Sequence, residues 1–300
     1  KSTTDKKIAT ILGAGSSVGQ HFINTLNLNQ YSKIYLIARV TSIKKYTTLF
    51  KDAKFEIVAD TDNKLTACFT QSDVLLNFVS ALAFHDDELK YDAIRYIYKM
   101  IPKIAKAKIP KIINISSQSV YDQNENISKT EEFNTVSKTS YAFQKLIIED
   151  FFTSINQHSV LTKVINLRFS RILNTNNIEQ LGFFGVIISN YINGKETTIG
   201  NPNNNTNLID ITDVCSAIAY TLETNLDNST LNVGGQDVSM KEFCEVVKNH
   251  LPQNNNVILY GDDTSVKSSS MINADKILSL GWKPKNSLKD IIRAIIKNNN

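Results

Sequence analysis

Residues Ile8-Ala-Thr-Ile-Leu12 run directly into Gly13-Ala-Gly15-Ser16-Ser17-Val18-Gly19, and then into His21-Phe-Ile-Asn-Thr-Leu26. The first five are an apolar run of the length of a buried strand, and the last six read as the start of a helix. Between them, glycine allows a sharp turn and a close backbone approach that a Cβ would block. Strand, tight glycine turn and helix, in that order, make a place for phosphate. The helix N-terminus contributes N–H groups and the positive end of its dipole. The reading is a dinucleotide pyrophosphate held by Gly13, Gly15, Ser16, Ser17, Val18 and Gly19. Three glycines alone also build a plain structural turn, so the signal lies in the flanking strand and helix.

Working outward, similar apolar runs recur at Lys33–Arg39, Phe55–Ala59, Val74–Val79, Lys111–Ile115 and Thr162–Leu167. Strands that read as continuous apolar runs, separated by helical patterns, indicate βαβ units and a parallel sheet buried on both faces. One helix is expected over roughly Glu88–Lys106, with Ile94, Ile97, Ile101 and Ile104 on one stripe and a kink or break at Pro102. A second is expected from about Ser140 to Ser154. Asn174–Gln180, Gly200–Asn207 and Gln253–Asn256 are polar and read as loops, and Lys297–Asn300 as a frayed end. The fold class is therefore α/β, a doubly wound parallel sheet of Rossmann type.

Composition narrows the class further. Of 300 residues, 42% are apolar and 21% charged, which excludes coiled-coil, collagen-like and wholly disordered chains. The net charge of +4 is spread along the chain and argues against nucleic acid or a membrane surface as partner. No apolar run reaches the roughly 18 residues of a membrane span. The polar stretch Lys1–Lys7 reads as no signal peptide, and the three scattered cysteines (Cys68, Cys215, Cys244) as a reducing, cytoplasmic setting without a zinc site. The four histidines show no metal-ligand spacing; only His85, after the fourth strand, lies near the expected cleft.

The end of the second strand bears on the cofactor. An acid there would bind a ribose 2′-hydroxyl. The sequence has Ala38-Arg39 instead, with Lys44-Lys45 close behind. A cation suits a 2′-phosphate, so NADP is preferred over NAD, although a solvent-facing arginine would look the same. Val79, ending the fourth run, completes the expected cofactor set on the strand edges.

Tyr141 and Lys145 stand four apart in the second expected helix, which places phenol and ammonium on one face. The cation favours phenolate and lowers the tyrosine pKa toward a useful range. Ser116-Ser117 ends the fifth strand, at the carboxyl edge where open α/β sheets build their sites. Each element occurs by chance; glycine loop, serine and Tyr/Lys helix in this order are much rarer.

With these residues in hand, nearly the whole chain resembles the extended short-chain dehydrogenase/reductase family, the NAD-dependent epimerase/dehydratase group. Ser116-Ser-Gln-Ser-Val-Tyr121 is similar to the family's Ser-Ser-x-x-Val-Tyr-Gly, which implies Ser117 as the catalytic hydroxyl. Asp60 resembles the family residue that bonds adenine. Asn166-Leu-Arg168, Leu208–Val214, Leu231-Asn-Val-Gly-Gly235 and Leu280-Gly-Trp-Lys-Pro284 resemble further family stretches. The departures are informative. Ser16 stands at the middle glycine of the loop. Ala93–Ile97 lacks the helix-four asparagine. Thr206-Asn207 replaces the Arg-Asp that anchors nucleotide sugars. Gln118-Ser119 replaces the Asp-Glu pair of the dehydratases, which disfavours water elimination.

The resemblance implies a dinucleotide-binding domain over 1–170 and 207–235, with a smaller C-terminal substrate-binding subdomain over 171–206 and 236–300. It implies a nucleotide-sugar epimerase or 4-ketoreductase, with Tyr141 as acid/base, Lys145 on the cofactor ribose and Ser117 on the reacting oxygen. Arg171 and Lys267 are the candidate cations for an anionic substrate, and a homodimer through the two long helices is expected. A reductase of a non-sugar carbonyl and a non-catalytic NAD(P)-binding regulator remain the alternatives.

Overall fold

A computed structural model describes residues 6–250, 258–263 and 265–299. The stretch Gln253–Asn256 and most of the opening polar segment lie outside the described residues. In chain order the strands and helices are β1 (Lys7–Leu12), α1 (Ser17–Thr25), β2 (Tyr31–Ala38), α2 (Ile43–Leu49), β3 (Phe55–Ala59), α3 (Leu65–Gln71), β4 (Val74–Asn77), α4 (Asp87–Ala107), β5 (Lys111–Ser117), α5 (Ser140–Gln157) and β6 (Lys163–Phe169). They continue as β7 (Arg171–Leu173), α6 (Phe183–Ile192), β8 (Thr197–Ile199), β9 (Asn205–Asp210), α7 (Ile211–Glu223), β10 (Ser229–Val233), β11 (Gln236–Ser239), α8 (Met240–His250), β12 (Ile258–Tyr260), β13 (Ser269–Ser270), α9 (Asp275–Ser279) and α10 (Leu288–Asn299). The chain divides into two compact units, 1–120 with 136–168 and 218–231, and 121–135 with 169–217 and 232–300.

The first unit carries the parallel sheet, in the order β10-β6-β5-β4-β1-β2-β3. Every expected strand is present within two residues of its apolar run. The order reverses at β1, which pairs with β2 on one side and β4 on the other. Such a switch point opens a crevice at the carboxyl ends of the two central strands. On one face, Leu12, Ile37, Leu75 and Ile112 pack with Phe69, Ile97, Ile104 and Phe152 from α3, α4 and α5. Burying side chains of this size is worth about 1.5–3 kcal/mol each before chain entropy is set against it.

The helix α4 runs unbroken through Pro102. Pro102 is on the exposed face of the helix, so the Tyr98 carbonyl that loses its amide partner faces the solvent side. The helix ends at Lys108, whose φ of 53° is the left-handed stop that glycine usually supplies. Thr139 caps α5 by accepting the Ala142 amide at 3.0 Å.

The second unit holds the small sheet β11-β9-β13, with β7 beside β9, and the pair β12-β8. Phe184, Ile187, Phe243, Val247, Ile292 and Ile295 from α6, α8 and α10 form its core. The polar stretch expected as a loop at Gly200–Asn207 enters β9 at Asn205. Its side chains are used: Asn207 donates to Asp237 and accepts the Gly235 amide. The family-like stretch Leu208–Val214 is strand only as far as Asp210. Ile211 onward is helical, and Asp213 accepts the Lys285 and Asn286 amides at 2.9 and 3.0 Å. Gly281, at φ +113°, follows the end of α9, and Trp282 is buried with its indole N–H on Ser216. The expected frayed end Lys297–Asn300 is helical as far as Asn299. The compact units put β9, the first half of α7 and the segment 121–135 together, whereas the expected division cut the chain at 170, 206 and 235.

Candidate active site

Gly13 follows β1 in the left-handed region, at φ +74°, and a Cβ there would stand 2.6 Å from the Val79 amide nitrogen. Only glycine fits that place. A Cβ on Gly19 would meet the Gly13 carbonyl oxygen at 2.8 Å. Ser16, in the place of the middle glycine, is the N-cap of α1, and its hydroxyl accepts the Gly19 amide at 3.1 Å. The Gly15 amide donates to the Tyr46 hydroxyl at 3.0 Å, and Lys45 and Gln20 donate to the Gly15 carbonyl. Burial raises the pKa of the Tyr46 phenol, so Tyr46 meets the loop as a neutral phenol.

A cavity of about 420 Å³ opens beside this loop. Gly13 and Ser16, Arg39 and Tyr46, Val79 to Ala81, His85, and the α4 residues Asp92, Ala93 and Tyr96 are on its wall. A left-handed glycine against the chain that leaves β4, a helix N-terminus and a cavity beside them fit a dinucleotide. Asp60 and the catalytic candidates are off this wall. Asp60 accepts the Val40 amide at 3.3 Å instead. His85 is on the wall, with Nδ1 accepting the Leu82 amide.

Arg39 is engaged rather than open. Its Nη1 lies 2.7 Å from Asp92 Oδ2, and its guanidinium stacks 4.6 Å from the centre of the Tyr96 ring.

The Tyr/Lys pair is brought together on α5. Lys145 Nζ lies 5.7 Å from the Tyr141 ring centre and donates to the Ile115 carbonyl at 2.9 Å, two residues before Ser117. Lys145 is buried. Burial pushes its pKa down to about 8, and the Glu149 carboxylate works against that shift. Ser117 ends β5, and its Oγ accepts from the Ser119 amide and hydroxyl at 3.2 and 2.9 Å.

Several supporting residues, Glu149, Gln144 and Tyr46 among them, are ones the sequence reading did not name. Glu149 takes Arg168 of β6 with both oxygens, at 3.0 and 2.6 Å, and also accepts from Ser116. Gln144 binds both backbone groups of Ala81, accepting its N–H at 2.7 Å and donating to its carbonyl at 3.1 Å. That clamp ties α5 to the cavity wall. Asn77, Asn114 and Asn166 form a buried chain across β4, β5 and β6, and Asn77 accepts the Val79 amide. The spacing of Glu149, one turn beyond Lys145, was a usable signal; Gln144 and Tyr46 offered none.

In the second unit, Arg171 opens β7 with its guanidinium 5.3 Å from the Phe184 ring centre. Lys267 is paired with Asp263 four residues earlier. Among the described residues no cluster of His, Cys, Asp or Glu could hold a metal, and no helix is long and apolar enough to cross a membrane.

Residues 9–234 match the NAD dependent epimerase/dehydratase family, and the chain belongs to that family of nicotinamide-dependent enzymes, of the extended short-chain dehydrogenase/reductase kind. A protein of Methanocaldococcus jannaschii, provisionally named a UDP-glucose 4-epimerase, is 22% identical over 97% of this chain and 98% of its own length. The UDP-glucose 4-epimerase of Thermotoga maritima, solved with UDP-glucose, superposes with a TM-score of 0.76 at 15% identity, covering 97% of this chain and 98% of that one. The UDP-glucuronic acid 4-epimerase of Bacillus cereus, solved with NAD, gives 0.77 at 17% identity over 97% and 98%.

Proposed function

We propose that this chain is an epimerase of a nucleotide sugar, working through Ser117, Tyr141 and Lys145 with a bound nicotinamide dinucleotide. The observation that carries the reading is the buried Lys145 ammonium beside the Tyr141 ring, tied to the strand that ends in Ser117. Gly13, Gly15, Ser16, Ser17, Val18 and Gly19 would hold the pyrophosphate. Arg39, Asp60 and Val79 would flank the adenosine and the central ribose. When bound, the nicotinamide supplies hydride acceptance and return at a ring carbinol carbon.

Tyr141 moves the proton at the substrate hydroxyl. The neighbouring ammonium favours its phenolate, and the work is general acid–base catalysis. Ser117 donates to the same oxygen and fixes its position. Lys145 reaches the nicotinamide ribose. Arg171, Lys267 and His85 are the candidate substrate contacts, the first two as cations for its anionic part. UDP-sugars are the substrate class, because the relatives named above bind or act on them. Gln118 and Ser119 place no acid after Ser117, so elimination of water is not expected.

Net reduction at the sugar C4 is the second reading. Asn207, where the family carries an anchor, spends its side chain on Asp237 and Gly235, and that observation favours a substrate held differently. Incubation with UDP-glucose, UDP-glucuronic acid and UDP-N-acetylglucosamine, read by NMR, separates the two. An epimer formed without net cofactor consumption supports epimerisation; stoichiometric consumption supports reduction; neither with any sugar overturns both.

We also propose a homodimer. Along α4 and α5, Leu89, Tyr91, Tyr98 and Phe143 are exposed, and the rings pair as Tyr91–Phe143 and Tyr98–Phe151. A cytoplasmic setting is proposed on the three buried free thiols.

A further inference from the structure

Arg39 follows β2 on the wall of the cavity that the proposed function gives to the dinucleotide, and the role assigned below to its partner rests on that reading. A ribose 2′-phosphate at this strand end needs a cation free to meet it. The three expected cations are placed otherwise. Arg39 is bound to Asp92 at 2.7 Å and stacked on the buried Tyr96 ring. Lys45 donates to the Gly15 carbonyl at 3.0 Å. Lys44 is exposed and off the cavity wall. Asp92, by contrast, is on that wall, and a second carboxylate, Asp60, accepts the amide that follows Arg39.

We infer that Asp92 is a specificity-determining residue: by holding Arg39 at the cavity wall, it makes the cleft select a dinucleotide with a free ribose 2′-hydroxyl over one carrying a 2′-phosphate. This reverses the NADP preference drawn from Arg39 alone. The Arg39–Asp92 pair is itself half-exposed, and such pairs contribute little to stability. Its effect falls on the incoming group. A phosphate dianion brought to Arg39 comes beside the Asp92 carboxylate and is repelled. A hydroxyl carries no charge and donates to the same carboxylate. Discrimination by a built-in repulsive element is a general route to specificity. Tyr96 holds the guanidinium in place, so Arg39 has a fixed platform from which to face either ligand.

The test is the ratio of dissociation constants for NADP and NAD, by calorimetry, for wild type, Asp92→Asn, Arg39→Ala and the double variant. Thermal denaturation is run alongside to confirm that each is folded. The wild type is expected to favour NAD. Asp92→Asn is expected to move the ratio toward NADP by about tenfold or more, the worth of one close like-charge contact removed. In the Arg39→Ala background the same substitution should still move the ratio toward NADP, because the repelling carboxylate is removed there too, but by less, because no released Arg39 guanidinium adds its attraction. A wild type that favours NADP overturns the inference, as does an Asp92→Asn ratio that moves by less. A wild type that binds neither dinucleotide overturns the dinucleotide reading itself. Binding of either with an unmoved ratio removes only the role of Asp92.

Discussion

Glu149 grips the Arg168 guanidinium with both carboxylate oxygens, at 3.0 and 2.6 Å, and both side chains are buried. The pair fastens α5 to β6 one helical turn beyond Lys145. Glu149 also accepts from Ser116, the neighbour of Ser117. The strand that ends in Ser117 and the helix that carries Tyr141 and Lys145 are thus held by one carboxylate. Removing one partner of a buried pair leaves the other charge uncompensated, at a cost of about 3–5 kcal/mol. Glu149→Gln should lower the unfolding free energy by about that much in urea titrations.

Gln144 and Ala81 give a second test. Gln144→Leu keeps most of the volume and removes both hydrogen bonds to the Ala81 backbone. Buried groups left unpaired cost about 1–3 kcal/mol each. Because Ala81 is on the cavity wall, the variant should lose dinucleotide affinity as well as stability. Calorimetry with the dinucleotide and urea denaturation read the two effects separately.

Lys145 sets a pH dependence. Burial lowers its pKa from 10.5 to about 8. Between those values the unfolded chain binds more protons than the folded one, so the contribution of this group to stability rises with pH across the window. Below about 8 the full penalty of burying the charge is present. Lys145→Met should therefore be more stable than wild type near neutral pH, and the difference should shrink toward 10.5. Urea denaturation of both proteins near pH 7 and near pH 10 checks it.

The exposed aromatic face of α4 and α5 should bury itself against a second copy. Sedimentation at micromolar concentration should give a dimer for the wild type. Tyr98→Glu, at a position 65% exposed, should give a folded monomer. A monomeric wild type would count against the dimer.

The sheet was legible because parallel strands are buried on both faces. Their apolar runs, such as Leu75–Leu76 and Ile112–Ile113, cannot be mistaken for surface. The Tyr141/Lys145 pair was legible because helical spacing alone places it. What the sequence hid depends on chain segments that meet only in the fold. Tyr46 reaches Gly15 from α2, and Asp92 reaches Arg39 from α4; neither has a local pattern. Arg39 read alone suggested a free cation, and its partner changes its meaning. The start of strand β9 was hidden for another reason. Asn205, Thr206 and Asn207 are polar, yet they pair with β11 and β13, and the Asn207 side chain holds the Gly235 amide.

The central claim is that Tyr141 moves the proton during the reaction. The direct measurement is the turnover number of Tyr141→Phe on a UDP-sugar that the wild type converts, with dinucleotide affinity measured on the same sample. The ring and its packing survive this substitution and only the transferable proton is lost. Turnover should fall by about a hundred- to ten-thousand-fold, the usual worth of a general acid–base, while dinucleotide affinity is retained. Turnover near that of the wild type would contradict the account and leave the proton transfer to another group.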